Sequence, residues 1–123
     1  MDSFLEIETE KYIFESKYFF VIKDEFPVSQ GHCLIISKQL RTDFFDLSND
    51  ERTELGDIII STRNMIEESQ SPDGYNIGMN CQSAGGQTVM HFHCHVIPRY
   101  FGDMADPRGG IRYRIPEKGN YCP

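Results

Sequence analysis

The sequence predicts an α+β domain built on a largely antiparallel sheet with one long helix. Three observations carry that prediction. Short aromatic and β-branched runs separated by turn residues fill the first half of the chain. One segment in the middle, opening at Ser48, has apolar residues at helical spacing behind a capping signature. A later segment, Met90 to Ile97, alternates histidine with apolar residues in the two-residue period of a strand.

Lys11 to Glu15 (KYIFE) reads as a first strand, Ser16-Lys17 as a turn, and Tyr18 to Lys23 (YFFVIK) as a second strand. A hairpin is the simple connection between them. Asp24 to Gly31 is a loop punctuated by Pro27 and Gly31, and His32 to Ser37 (HCLIIS) is a third strand. Ser48 and Glu51 have the spacing of a capping box, and Leu55, Ile58, Ile59, Thr62, Met65 and Ile66 then recur on one helical face. That helix should end near Glu68 to Gln70, ahead of the turn Ser71-Pro72-Asp73-Gly74. Gly56 weakens it slightly. Its acidic residues, Glu51, Glu54, Asp57, Glu67 and Glu68, read as a solvated face. Tyr75 to Asn80 is a fourth strand, Cys81 to Gly86 a flexible connection, and the histidine run the fifth strand.

With 123 residues the chain is sized for a single domain, residues 1 to 123. Its core spans about residues 11 to 99. Residues 100 to 123, with Pro107, Gly109, Gly110 and Pro116, read as an irregular tail lying over the surface or over a partner. The formal net charge of −7 argues against a nucleic-acid duplex as partner, because backbone binding needs a basic surface. A small anionic ligand stays compatible with it. Arg99, Arg108, Arg112 and Arg114 place positive charge after the histidines, for a polyphosphate, a partner or solvent. The acidic N-terminus carries no apolar signal-peptide core, and no apolar run is long enough to span a bilayer. A cytoplasmic location is the expectation, with no membrane partner. Cys33, Cys81, Cys94 and Cys122 form no C-x-x-C pair and read as reduced thiols, Cys94 as a small buried hydrophobe.

Three of the four histidines are His91, His93 and His95. In an extended strand they share one face, roughly 7 Å apart, while Phe92, Cys94 and Val96 share the other. Two chemistries fit such a row. One is a metal site with imidazole ligands, and the other is nucleophilic catalysis with one imidazole attacking. Gly85-Gly86-Gln87-Thr88 lies just upstream. Glycines let backbone approach a bulky anion, and amide, hydroxyl and free N–H groups surround phosphate oxygens.

The run Gly86-Gln87-Thr88-Val89-Met90-His91-Phe92-His93-Cys94-His95-Val96-Ile97 resembles the signature of the histidine-triad (HIT) nucleotide hydrolases and transferases. Pro27 to Ile36 resembles that family's glycine-histidine strand, with Gln30 where the family has proline. Asn80 matches a third family position. The resemblance covers about Lys11 to Arg99. It implies a five-stranded antiparallel sheet with a long helix, joined to a second copy as a continuous dimeric sheet. It implies that His93 is the nucleophile and forms a covalent nucleotidyl-imidazole at an α-phosphate. His91 would hold His93 through its backbone carbonyl, and His95 and His32 would flank the phosphate. Asn80, Gly86, Gln87 and Thr88 would bind phosphate, and Asp24 the ribose hydroxyls. Phe20, Ile22, Phe26 and Leu34 are candidates for a purine pocket. No cofactor or protein-bound metal is required, although a polyphosphate substrate could arrive with Mg²⁺. Ile97-Pro98-Arg99 with Gly102-Asp103 looks closer to the dinucleoside-polyphosphate branch, with nucleoside 5′-phosphoramidate hydrolysis as the alternative. Outside this class stand a metal-dependent enzyme using the histidines as ligands and a nucleotide-binding module without turnover.

Overall fold

In the computed structural model, which describes residues 2–121, five strands form one antiparallel sheet. They are β1 (Phe14–Glu15), β2 (Phe19–Lys23), β3 (Cys33–Ser37), β4 (Gly74–Gly78) and β5 (His93–Arg99), in the order β1-β2-β3-β5-β4. A single α-helix, α1 (Asn49–Ile66), covers one face.

The runs of β2 and β3 are apolar at nearly every position because both faces of the sheet are covered. Odd positions of β2 and β3 feed the helix side, where Phe19, Val21, Cys33 and Ile35, with Cys94 and Val96 of β5, pack with Leu55, Ile58 and Ile66 of α1. Even positions feed the other side. Phe20, Ile22, Leu34 and Ile36 form a second cluster there, closed by Phe4 with Ile7, Tyr12 and Val89. Side chains such as Phe19 and Ile35, fully removed from water, each contribute about 1.5–3 kcal/mol. The register carries these rows to the histidines. Phe20 lies beside Ile36 and Ile36 beside His93, while Ile22 lies beside Leu34, and Leu34 beside His95.

The capping box at α1 is formed in both directions. Ser48 Oγ accepts from the Glu51 N–H, and Glu51 Oε1 accepts from the Ser48 N–H at 2.6 Å. Glu51 is buried rather than solvated, and the same oxygen accepts from Arg41 Nε at 2.9 Å. Glu54 is likewise committed, to the Ser16 hydroxyl and the Tyr18 N–H. The helix stops at Ile66, earlier than the Glu68 to Gln70 expected, where the Glu68 and Ser69 N–H groups turn to the carbonyls three residues back, of Met65 and Ile66.

The first strand is shorter than Lys11 to Glu15, because Thr9–Lys11 closes a 3-10 turn and Tyr12 stacks on Phe20 at 4.2 Å. The fourth spans Gly74–Gly78 rather than Tyr75 to Asn80. The fifth begins at His93, since the Phe92 N–H leaves the ladder for the Arg41 carbonyl. The connection predicted as flexible holds a 3-10 turn, Ser83–Gly85. The tail is built from two more such turns, tied by Arg112 to the carbonyls of Lys118 and Gly119. Cys122 lies outside the described residues. No helix among the described residues is long and apolar enough to cross a membrane.

Candidate active site

β5 alternates as its sequence predicts: Cys94 and Val96 are buried against α1, while His93 and His95 are half-exposed on the opposite face. The partners of each imidazole assign its proton. His93 Nδ1 lies 2.8 Å from the His91 carbonyl, which can only accept, so Nδ1 carries a proton and in the neutral ring the lone pair falls on Nε2. His91 accepts from the Phe4 N–H at Nδ1, 3.0 Å away, and donates from Nε2 to the Ser37 carbonyl at 2.8 Å. His32 accepts from the Val28 N–H at Nδ1, so its proton sits on Nε2. That Nε2–H faces His95 Nδ1 at 2.9 Å and Asp24 Oδ2 at 3.3 Å. His95 Nδ1 is thereby an acceptor, and its Nε2 becomes a donor. Three neutral imidazoles thus present N–H at Nε2, and His93 alone presents a lone pair there.

Burial supports neutral rings. Desolvation lowers the pKa of His32, partly opposed by the Asp24 carboxylate. Desolvation lowers His91 as well, against the raising effect of the Ser37 carbonyl. His95 is lowered by desolvation first and then by His93 and His32, with Asp24 opposing.

His91 is not exposed beside His93 and His95. Its ring is completely buried beneath Phe4, so its part is to hold the backbone carbonyl that orients His93. Phe4, absent from the sequence-derived site, meets His93 edge-on with centroids 5.1 Å apart. Phe4, Leu5 and Ile7 stand among acidic residues and follow neither a strand nor a helix period. Phe20, Ile22 and Leu34 do line the histidine face, whereas Phe26 is 84% exposed in the loop after β2 and lines nothing there. Asp24 stands at the end of β2, with Oδ1 accepting from the Phe26 N–H and lone pairs left for a ligand.

The segment before the histidines divides in two. Asn80, Gly86 and Thr88 are exposed, with Gly86 in the left-handed region at φ +93°. Gln87 departs from its expected place. It is buried, and its amide is taken up by the Gln82 N–H and the carbonyls of Thr42 and Val89. It shapes the loop instead of reaching a phosphate.

Arg99 is held by Asp103 and Asn76, and Arg108 pairs with Asp106. A cavity of about 280 Å³ lies behind His32 and Asp24 toward the end of α1. Another of about 430 Å³ surrounds Tyr100 and Arg99 at the far end of β5, and His93 and His95 line neither.

Asp24, His32 and His95 bring three ligand atoms within 4.8 Å of one another, the spacing of a metal site. The donor chemistry fits a cation poorly. His32 Nε2 carries a proton, and moving it to Nδ1 would set two N–H groups against each other at Val28. Burial pushes the Cys33 thiol to about 11 and Cys94 to about 12, so both stay protonated.

The model of the HIT domain matches residues 6–102. An HIT-like protein of Chlamydia pneumoniae is 35% identical over 91 residues, covering 74% of this chain and 82% of that one. The asymmetrical bis(5′-nucleosyl)-tetraphosphatase of Schizosaccharomyces pombe is 34% identical over 80 residues, covering 65% of this chain and 44% of that one. A crystal structure of a zinc-bound histidine triad family protein from Mycobacterium smegmatis is 32% identical with a TM-score of 0.69, covering 77% of this chain and 69% of that one. The alternating histidines, the sheet order and these similarities agree: the chain belongs to the HIT domain family.

Proposed function

We propose that this protein cleaves nucleotide conjugates at the α-phosphate through a nucleotidyl-His93 intermediate. The observation that carries this reading is the 2.8 Å bond from His93 Nδ1 to the His91 carbonyl, which in the neutral ring leaves the lone pair on Nε2. In the first step Nε2 bonds to phosphorus and the bond from phosphorus to the leaving oxygen breaks, that oxygen keeping the electron pair and taking a proton from solvent. In the second, water attacks the same phosphorus, the P–N bond breaks with its pair returning to Nε2, and the water's proton goes to solvent. The His95 Nε2–H donates to a non-bridging oxygen as charge grows there. Asp24 accepts from the ribose hydroxyls. The apolar row of Phe20, Ile22 and Leu34 with Phe4 gives a purine an apolar wall. Exposed Gly86, Thr88 and Asn80 face the phosphate.

A dinucleoside polyphosphate is the favoured substrate class, supported by similarity to the fission-yeast tetraphosphatase. A nucleoside 5′-phosphoramidate would use the same first step, with an amine leaving. Among the described residues β4 pairs only with β5, which leaves one of its edges for a second copy and a continuous dimeric sheet. Light scattering at a dimer mass supports that pairing, and a monomer mass ends it.

The test is a panel of both conjugate classes with mass spectrometry of acid-quenched protein. The reading requires turnover and protein heavier by one nucleoside monophosphate, with both lost in His93→Ala while nucleotide still binds. Binding without turnover in the wild type would assign a binding module instead. Activity abolished by chelator and restored by zinc would assign a metal enzyme.

A further inference from the structure

Gln82 is the single non-glycine residue with positive φ among the described residues, at φ 67° and ψ 170°. That region is nearly restricted to glycine, and other residues persist there only when their surroundings hold them. The surroundings here are specific. The Gln82 N–H donates to Gln87 Oε1 at 2.7 Å. Its carbonyl accepts from the N–H groups of Gly85 and Gln87 at 3.0 and 3.1 Å. Its side-chain Nε2 donates to Asp43 Oδ2 at 2.7 Å. Asp43 is buried, and its other oxygen accepts from the Phe45 N–H at 2.9 Å. Gln87 completes the tie by donating to the Thr42 carbonyl at 2.6 Å.

Residues 82–87 are therefore fastened at both ends to the 42–45 segment. The part carried between is Ser83 to Gly86, followed by Thr88. This stretch joins β4 to the start of β5, where His93 stands. Gly78 is paired with His95, so the chain leaving β4 runs toward His93. Val89 packs against the cluster of Phe4, Phe20, Ile22, Leu34 and Ile36, and Ile36 is paired with His93. A Cβ on Gly86 would lie 4.0 Å from Asn80 Cγ.

We infer that Gln82, clasped by Asp43, is a positioning residue that presets the Gly86 to Thr88 segment against the phosphate held at His93. The inference rests on the nucleotide reading above and adds a residue to it. Holding the segment before substrate arrives saves its ordering during the reaction, so the clasp acts on the chemical step more than on ground-state binding.

Gln82→Gly separates this role from plain stability. Glycine accepts the backbone angles without strain and keeps the N–H and carbonyl bonds, losing only the amide bond to Asp43. The expected result is a melting temperature within 2 °C of wild type or above it, KM within about twofold and kcat at least tenfold lower. Amide hydrogen exchange at Gly85, Gly86 and Gln87 should be at least tenfold faster in the free protein. Gln82→Ala, which keeps the strain and loses the clasp, should lower both kcat and melting temperature. A Gln82→Gly protein with unchanged kcat, or with unchanged exchange, overturns the inference. So does a kcat loss matched by a fall in melting temperature in that variant. If the wild type turns over no nucleotide conjugate, the functional reading fails, and the exchange measurement alone decides the clasp.

Discussion

Removing the Phe4 ring should cost both stability and turnover, because one side chain closes the second core and abuts the nucleophile. Phe4 is 8% exposed, and its ring contacts His91 at 5.5 Å and His93 at 5.1 Å. Phenylalanine-to-alanine changes in a core cost about 3–5 kcal/mol. The lower end applies here, since Phe4 lies at the rim of its cluster with part of its surface exposed. A loss of about 3 kcal/mol in a domain of this size lowers the melting temperature by roughly 10 °C. The Phe4 N–H stays in Phe4→Ala, so the His91 tautomer survives. What His93 loses is the ring that limits its swing about the Nδ1 bond. A tenfold fall in kcat corresponds to about 1.4 kcal/mol at the transition state, a reasonable cost for a nucleophile freed from one wall. Calorimetry gives the first quantity and single-turnover kinetics the second. Phe4→Leu should recover most of both. If Phe4→Ala melts within 2 °C of wild type and turns over at the same rate, the closure of the histidine face by this segment is refuted.

Asp24→Ala should raise KM for a nucleotide conjugate by at least tenfold while kcat falls less, because a ribose contact persists from ground state to transition state. Equal kcat and KM to wild type would remove Asp24 from the ribose. Acid should destabilise the fold through His91, His32 and His95, whose pKa values burial holds below the usual 6.5. Below pH 6.5 the unfolded chain takes up protons that the folded one refuses, so stability is full above that pH and falls as pH drops toward the depressed values. The limiting slope is about 1.4 kcal/mol per pH unit for each such histidine. Denaturant midpoints measured from pH 8 to pH 5 should fall on the acid side, and His91→Asn should flatten the slope. A midpoint constant over that range contradicts the buried neutral rings.

Much of this architecture was legible because it is written locally. The alternation of β5 states which side chains face the cleft, and the capping box at Ser48 states where α1 begins. The resemblance added the placement of Asp24 and His32, which no local pattern supplies. What was missed depends on contacts distant in sequence. Phe4 reaches a ring 87 residues away, and the short Phe4-Leu5-Glu6-Ile7 run carries no strand or helix period that would announce the contact. Glu51 and Glu54 sit on a helix whose composition reads as solvated. Arg41, Ser16 and Tyr18, which bury or bind them, come from other elements. Gln87 matched a phosphate-binding position by sequence, yet its amide is consumed by the turn that Gln82 strains to make. Phe26 has the composition of a pocket residue, but the loop after β2 turns it to water.

The proposed chemistry rests on a protonation pattern: four imidazoles, three with the proton on Nε2 and one, His93, with it on Nδ1. Long-range nitrogen–proton correlation spectra of histidine-labelled protein at pH 7.5 report that pattern directly. The account predicts three rings in the Nε2–H form and one in the Nδ1–H form, the latter vanishing in His93→Ala. A His93 ring protonated at Nε2 would leave no lone pair facing the cleft and would contradict the account.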